Sequence, residues 1–151
     1  MNDIKIVAKN RKASFEYFIL EKFEAGIELH GSEIKSIRAG QASIAEAFVQ
    51  IENQEAWLIN SHVAKYDQAS IFNHDPKRKR KLLLHKKEIK EIWNSIRQKG
   101  LTVIPTILYL SNGKAKIEIA LAKGKKMYDK RESIARRDQE RENSRNRKIR
   151  E

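Results

Sequence analysis

The chain has 151 residues, with 32 Lys or Arg against 20 Asp or Glu, a net charge of +12 and no cysteine. Such a length suits one domain with an appendage, and the absence of cysteine excludes disulfides and cysteine-ligated metals. The charge favours a polyanion as partner; no apolar run approaches the roughly 20 residues of a spanning helix, and Met1 to Val7 do not have the form of a secretory signal, so the cytoplasm, RNA and no membrane are expected.

Lys9-Asn10-Arg11-Lys12 is a basic cluster ahead of the first predicted strand. Phe15 to Phe23 alternates on both faces and reads as that strand. Glu24-Ala25-Gly26 is expected to break it, with Gly26 suited to a bulge or tight turn, and Ile27 to His30 to continue as a second short strand. Ser32 is positioned to cap a helical turn over Glu33 to Ile37, which sends Ile34 and Ile37 one way and Lys35 and Arg38 another. Phe48 to Ile51 and Ala56 to Ile59, joined at Glu52-Asn53-Gln54, predict a hairpin, and Asp67 to Pro76 a loop.

Lys77-Arg78-Lys79-Arg80-Lys81 then runs into Leu82-Leu83-Leu84. In an extended chain one of these three leucines faces away from its neighbours, which leaves a leucine free to touch a base. Ile89, Ile92, Trp93 and Ile96 at i, i+3, i+4 and i+7 predict a helix over Lys86 to Lys99, closed by Gly100. Thr102 to Leu110 and Lys114 to Leu121 are predicted strands joined through Asn112-Gly113, the strongest hairpin signal in the chain. Pro105 points to an edge or a bulge. Phe15, Tyr17, Phe18, Trp57 and Trp93 read as core.

About six short antiparallel strands with one long helix predict a mainly β fold with flanking helices, an OB-like barrel first and an α+β sandwich second. The barrel is expected over 1–121. Residues 122–151 hold 12 Lys or Arg and 6 Asp or Glu, about half the net charge, and after Tyr128 only Ile134 and Ile149 are sizeable apolar residues. A segment of that composition buries too little apolar surface to offset its ordering entropy, so it is expected to be a disordered basic tail that orders on a polyanion.

Nothing in the chain assembles a catalytic constellation. His30, His62, His74 and His85 have no metal-ligand spacing, and Gly124-Lys125-Lys126 lacks the earlier glycine of a phosphate-cradling loop. No enzyme, cofactor or metal is expected. The basic clusters, including Lys114, Lys116, Lys123, Lys125 and Lys126 on the last hairpin and its exit, suit phosphate contacts. Glu24 suits the reading of base amino groups, which cations repel.

In order, Asn10-Arg11-Lys12-Ala13, Phe15 to Ile19, Phe23-Glu24-Ala25-Gly26-Ile27, Gly31 to Gly40, Asp75-Pro76, Arg80 to Leu84 and Ala122 to Lys126 followed by Asp129-Lys130-Arg131 resemble the SmpB family, the SsrA-binding proteins that partner transfer-messenger RNA. The resemblance implies an OB-type barrel without enzymatic activity. It also implies binding of the tRNA-like domain of that RNA on one barrel face, and a tail that enters the empty messenger channel of a stalled ribosome at its decoding centre. It places Glu24 at the acidic RNA contact, Leu83 at the contact leucine, His85 just past it and Lys116 at the basic position of the last hairpin. With the basic clusters, the expected RNA-binding set is Asn10, Lys12, Glu24, Lys35, Arg38, Leu83, His85, Lys116 and Lys123. The tail set implied to contact the ribosome is Lys125, Lys126, Tyr128, Asp129, Lys130 and Arg131. Tyr128 stands where some relatives carry histidine, and His85 where asparagine often occurs. A monomer is expected. The rivals are a metal-dependent ribonuclease using Glu24, Glu33 or Asp75, and a structural ribosomal protein.

Overall fold

The computed structural model describes residues 4–66 and 73–125. Seven antiparallel strands form its main sheet. In chain order they are β1 (Ile4–Lys9), β2 (Tyr17–Ile27), β4 (Phe48–Glu52), β5 (Glu55–Ile59), β7 (Arg80–Leu83), β8 (Thr102–Ser111) and β9 (Lys114–Gly124). Two short strands, β3 (Ala42–Ser43) and β6 (His62–Val63), pair with each other. The helices are α1 (Ala13–Glu16), α2 (Gly31–Arg38) and α3 (Lys86–Lys99).

The strand order is β1-β8-β9-β2-β7-β5-β4, and β4 comes back against β8, so the sheet curls into the expected OB-like barrel. Inside lies one core, with Phe23, Val49, Leu58, Leu82, Leu108, Ile117 and Ile119 from the sheet, Ile37 from α2 and Ile92 from α3. A smaller cluster of Ala13, Ile104 and Ala122 seats α1.

α3 has the predicted bounds. The Glu88 carboxylate accepts the His85 backbone N–H at 3.1 Å, and Gly100 closes the helix at φ +64° with its N–H on the Ile96 carbonyl. A side chain at that φ is strained, so Gly100→Ala should lower the unfolding free energy by about 1 kcal/mol, measured by urea melts. Both predicted hairpins are present. Asn53, Gln54, Asn112 and Gly113 at their tips all have positive φ, the geometry that two-residue loops between right-twisted strands require. Pro105 sits at a register shift between β8 and β9, a bulge, and two residues before Ile107, where the pairing of β8 with β1 begins.

Several local expectations are corrected. The tally of about six strands becomes seven in the main sheet, and β1 precedes the element expected to be first. Phe15 and Glu16 belong to α1, and pairing of β2 with β9 starts at Tyr17. Glu24-Ala25-Gly26 does not break β2. β9 pairs with all three residues and β7 with Gly26, while the bulge falls between Ile19 and Glu21. Residues 28–30 lead into α2, whose cap is His30 and not Ser32. The Ser32 hydroxyl is buried and bonds Nδ1 of His74 at 2.8 Å.

The basic run 77–81 is mostly structural. Arg80 is 1% exposed, with Nε 2.5 Å from Glu33 Oε2, and Arg78 Nη2 lies 2.6 Å from Glu33 Oε1. Lys79 pairs with Glu52 and Lys81 with Glu55. None of the five aromatic residues assigned to the core is fully buried: Tyr17 packs half-buried against the smaller cluster, Phe15 and Trp57 are half-buried outside both clusters, and Phe18 is 42% and Trp93 40% exposed. β9 continues to Gly124, past the boundary expected at 121, and the Lys125 N–H bonds the Glu16 carbonyl at 2.8 Å. Among the described residues no helix is long and apolar enough to cross a membrane.

Candidate nucleic-acid interface

Register decides which side chains share the outer face of the sheet. Tyr109 of β8 lies opposite Lys116 of β9, Lys116 opposite Gly26 of β2, and Gly26 opposite Leu83 of β7. Ile6 of β1 extends this row beyond Tyr109. In the next row Glu24 faces Glu118 across β2 and β9. Leu82 is buried while Leu83 is 50% exposed, as parity along the three leucines requires. A Cβ on Gly26 would sit 3.3 Å from Cβ of Leu83, so the glycine gives that leucine room to lie over β2.

Two carboxylates directly opposite on neighbouring strands repel. Here cations and hydroxyls offset the repulsion. Nζ of Lys116 stands 3.9 Å from Glu24 Oε1, the Thr106 hydroxyl donates to Glu118 Oε2 at 2.5 Å, and the Tyr109 phenol lies close enough to Glu24 to feel its charge. Burial, and then the neighbouring Glu24 carboxylate, pushes the Tyr109 phenol well above its usual range. The Glu24 side chain is 62% exposed and that of Lys116 36%. The patch therefore offers acceptor oxygens, a cation, a phenol and an apolar leucine side by side. Carboxylates can accept from base amino groups or 2′-hydroxyls, a lysine can hold a phosphate, and a leucine can cover the face of a base. Among the described residues no group of three or more His, Asp or Glu stands close enough to hold a metal ion.

The model of the SmpB protein family matches residues 7–149. The chain belongs to the SmpB family. It is 56% identical over 138 residues to the SsrA-binding protein of Desulforudis audaxviator, covering 91% of this chain and 90% of that one. It is 56% identical over 136 residues to the SsrA-binding protein of Ligilactobacillus salivarius, covering 90% and 88%. A solved structure described as "tmRNA-SmpB: a journey to the center of the bacterial ribosome" matches with a TM-score of 0.66 at 46% identity, over 79% of this chain and 84% of that one.

Of the residues that carry the SmpB pattern, the fold gathers Glu24, Lys116 and Leu83 on one patch. His85 is exposed at the start of α3, two residues beyond Leu83. Arg38 donates to the Gly113 carbonyl at 3.2 Å, which ties α2 to the tip of the β8–β9 hairpin, and Lys35 lies 5.6 Å from the Tyr66 ring centroid. The others sit apart. Asn10 acts as a strut, its side-chain amide donating to the Pro105 carbonyl at 3.0 Å, and Lys12 pairs with Glu46 on the surface. Lys123 lies opposite Phe18 near the far end of β2, where Lys125, assigned to the tail, sits 5.0 Å from the Phe18 ring centroid and donates to the Ser14 carbonyl. Lys126, Tyr128, Asp129, Lys130 and Arg131 lie outside the described residues.

Tyr109 and Glu118 are not singled out by the sequence, and Gly26 is singled out there only as a turn or bulge residue. The signal for Tyr109 was available: a two-residue loop at Asn112-Gly113 fixes Ser111 opposite Lys114 and hence Tyr109 opposite Lys116.

Proposed function

We propose that this chain is a cytoplasmic, non-enzymatic adaptor of ribosome rescue. The outer face of its barrel binds the tRNA-like domain of transfer-messenger RNA, and the segment after β9 senses the empty messenger channel of a stalled ribosome. The observation that carries this reading is the convergence of Glu24, Lys116 and Leu83 on one exposed patch in a chain of the SmpB family. A folded RNA offers such a patch unpaired loop bases, 2′-hydroxyls and phosphates together, so recognition combines shape with a few base contacts. Phosphate contacts from Lys116, Arg38 and Lys35 supply affinity without sequence preference.

Glu24→Ala removes one acceptor from an exposed strand position and leaves the core untouched. It should weaken binding to the isolated tRNA-like domain by about 1–3 kcal/mol, the scale of one base contact. A gel-shift titration at fixed salt measures the loss, with circular dichroism to check the fold. Wild-type affinity in this variant would remove Glu24 from the site. Sequencing the RNA that co-purifies with the protein tests the partner's identity directly.

A further inference from the structure

The β4–β5 turn and the first half of α3 leave between them a groove of about 780 Å³. The SmpB-pattern residues gathered on the sheet face do not line it. Ile51 and the indole of Trp93 give it an apolar surface, and Lys86 and Lys90 line it one helical turn apart. Neither lysine forms an ion pair among the described residues, and the Arg97 guanidinium, 5.6 Å from the Trp93 ring centroid, adds a further cation. Ile92 fills the core, whereas Trp93 beside it stays exposed. Gln54 faces the groove from a left-handed backbone, φ +64°, where glycine or asparagine is the ordinary choice. With Asn94 it supplies a pair of side-chain amides.

We propose that this groove holds one unpaired nucleotide of a bound RNA, its base against the Trp93 indole and its phosphate on Lys86 and Lys90. The Gln54 and Asn94 amides, each a donor and an acceptor, match the polar edge of a base. A flat exposed ring, cations and amides together are the equipment of single-strand recognition, in which every base has a face to stack. An acidic peptide would use the lysines and leave the ring and the amides without planar partners. The groove is thus a second RNA contact beyond the tRNA-like platform, and it does not depend on the sheet face for its chemistry.

Trp57 and Trp93 are the only tryptophans, so the Trp57→Phe variant makes Trp93 the sole indole probe. Titration with single-stranded hexa-adenylate at low salt should quench its fluorescence saturably, with affinity falling steeply as salt rises. Labelled hexa-adenylate followed by anisotropy should bind the wild-type protein too. Lys86→Glu/Lys90→Glu or Trp93→Ala should weaken it about tenfold or more at an unchanged melting temperature, while Trp93→Phe keeps it within about threefold. Hexa-adenylate has no tRNA-like shape, so this result stands or falls separately from the proposed adaptor role. Absence of binding in both assays overturns the proposal. So does quenching by an acidic leucine-containing peptide but not by RNA, or loss of quenching in Glu24→Ala, which would make the groove a rim of the sheet face.

Discussion

Replacing Glu33 by glutamine should lower the unfolding free energy by about 3–5 kcal/mol, the cost of leaving a buried charge without its partner. For a domain of ordinary stability, about 5–15 kcal/mol, that is a large fraction. Glu33 is fully buried on α2 and accepts from Arg80 Nε, Arg78 Nη2 and the His30 backbone N–H at 2.5, 2.6 and 2.7 Å. Arg80, itself 1% exposed, spends its other donors on the Ser61 hydroxyl and on the Arg78 and Pro76 carbonyls. The variant leaves the Arg80 guanidinium buried without its counter-charge. Burial raises the Glu33 carboxyl's affinity for its proton, but the two guanidinium groups and the His30 N–H outweigh it and hold the carboxyl down to about 2, from an ordinary 4.5. A depressed carboxylate contributes stability above its unfolded value and loses it as pH falls through the folded one. The wild type should therefore lose on the order of 3 kcal/mol between about pH 4.5 and pH 2, and Glu33→Gln should lack that component. Urea melts at pH 7 and an acid titration check both. Coincident acid transitions in the two proteins would deny Glu33 this role. The double variant Glu33→Leu/Arg80→Met, which removes both charges, should recover most of the loss.

The same network is not legible in the sequence. Lys77 to Lys81 looks like a cationic surface because charge count carries no information about direction. Only the pairing of β7 between β2 and β5 turns Arg80 inward onto an acid 47 residues away. Where the governing interaction is local, the sequence was legible. α3 follows from four apolar residues at helical spacing and a glycine beyond them, and the last hairpin from Asn112-Gly113. Leu83 follows from the parity of three leucines. The start of β2 was misread because Phe15 to Ile19 has strand composition, whereas β9 reaches only as far as Tyr17 and α1 is seated by Ala13 against Ile104 and Ala122. Glu24-Ala25-Gly26 looked like a break because Gly26 is a turn residue, but its missing side chain makes room for Leu83 in the middle of a paired strand. Trp93 reads as core because a helical stripe shows which side is apolar and not how far the core reaches around it. At the site, Glu24, Leu83 and Lys116 could be named singly, while their convergence needed the register of three strand pairs.

Deleting residues 126–151 should leave binding to the tRNA-like RNA within a few-fold of wild type and abolish rescue of stalled ribosomes. The cut follows Lys125, so it spares all of β9, the bond from the Lys125 N–H to Glu16 and the contact of Lys125 with Phe18. It removes 10 Lys or Arg and 6 Asp or Glu, a net +4 of the chain's +12, and none of Glu24, Lys116 and Leu83. The proposed RNA platform thus keeps its geometry and most of its field. What is lost is a cationic segment whose charges can meet phosphates along a narrow RNA-lined channel. Such a channel is open to the segment only when messenger is absent. The intact protein, loaded with its RNA, should therefore prefer ribosomes whose messenger ends at the decoding site, and the truncated one should not distinguish them from ribosomes with messenger running past it. Two measurements separate the parts: gel-shift affinity for the tRNA-like domain, and peptide transfer onto charged transfer-messenger RNA in a reconstituted stalled ribosome. Collapse of the first on truncation would mean that the segment belongs to the RNA platform, and unaltered peptide transfer would mean that channel sensing lies elsewhere in the chain.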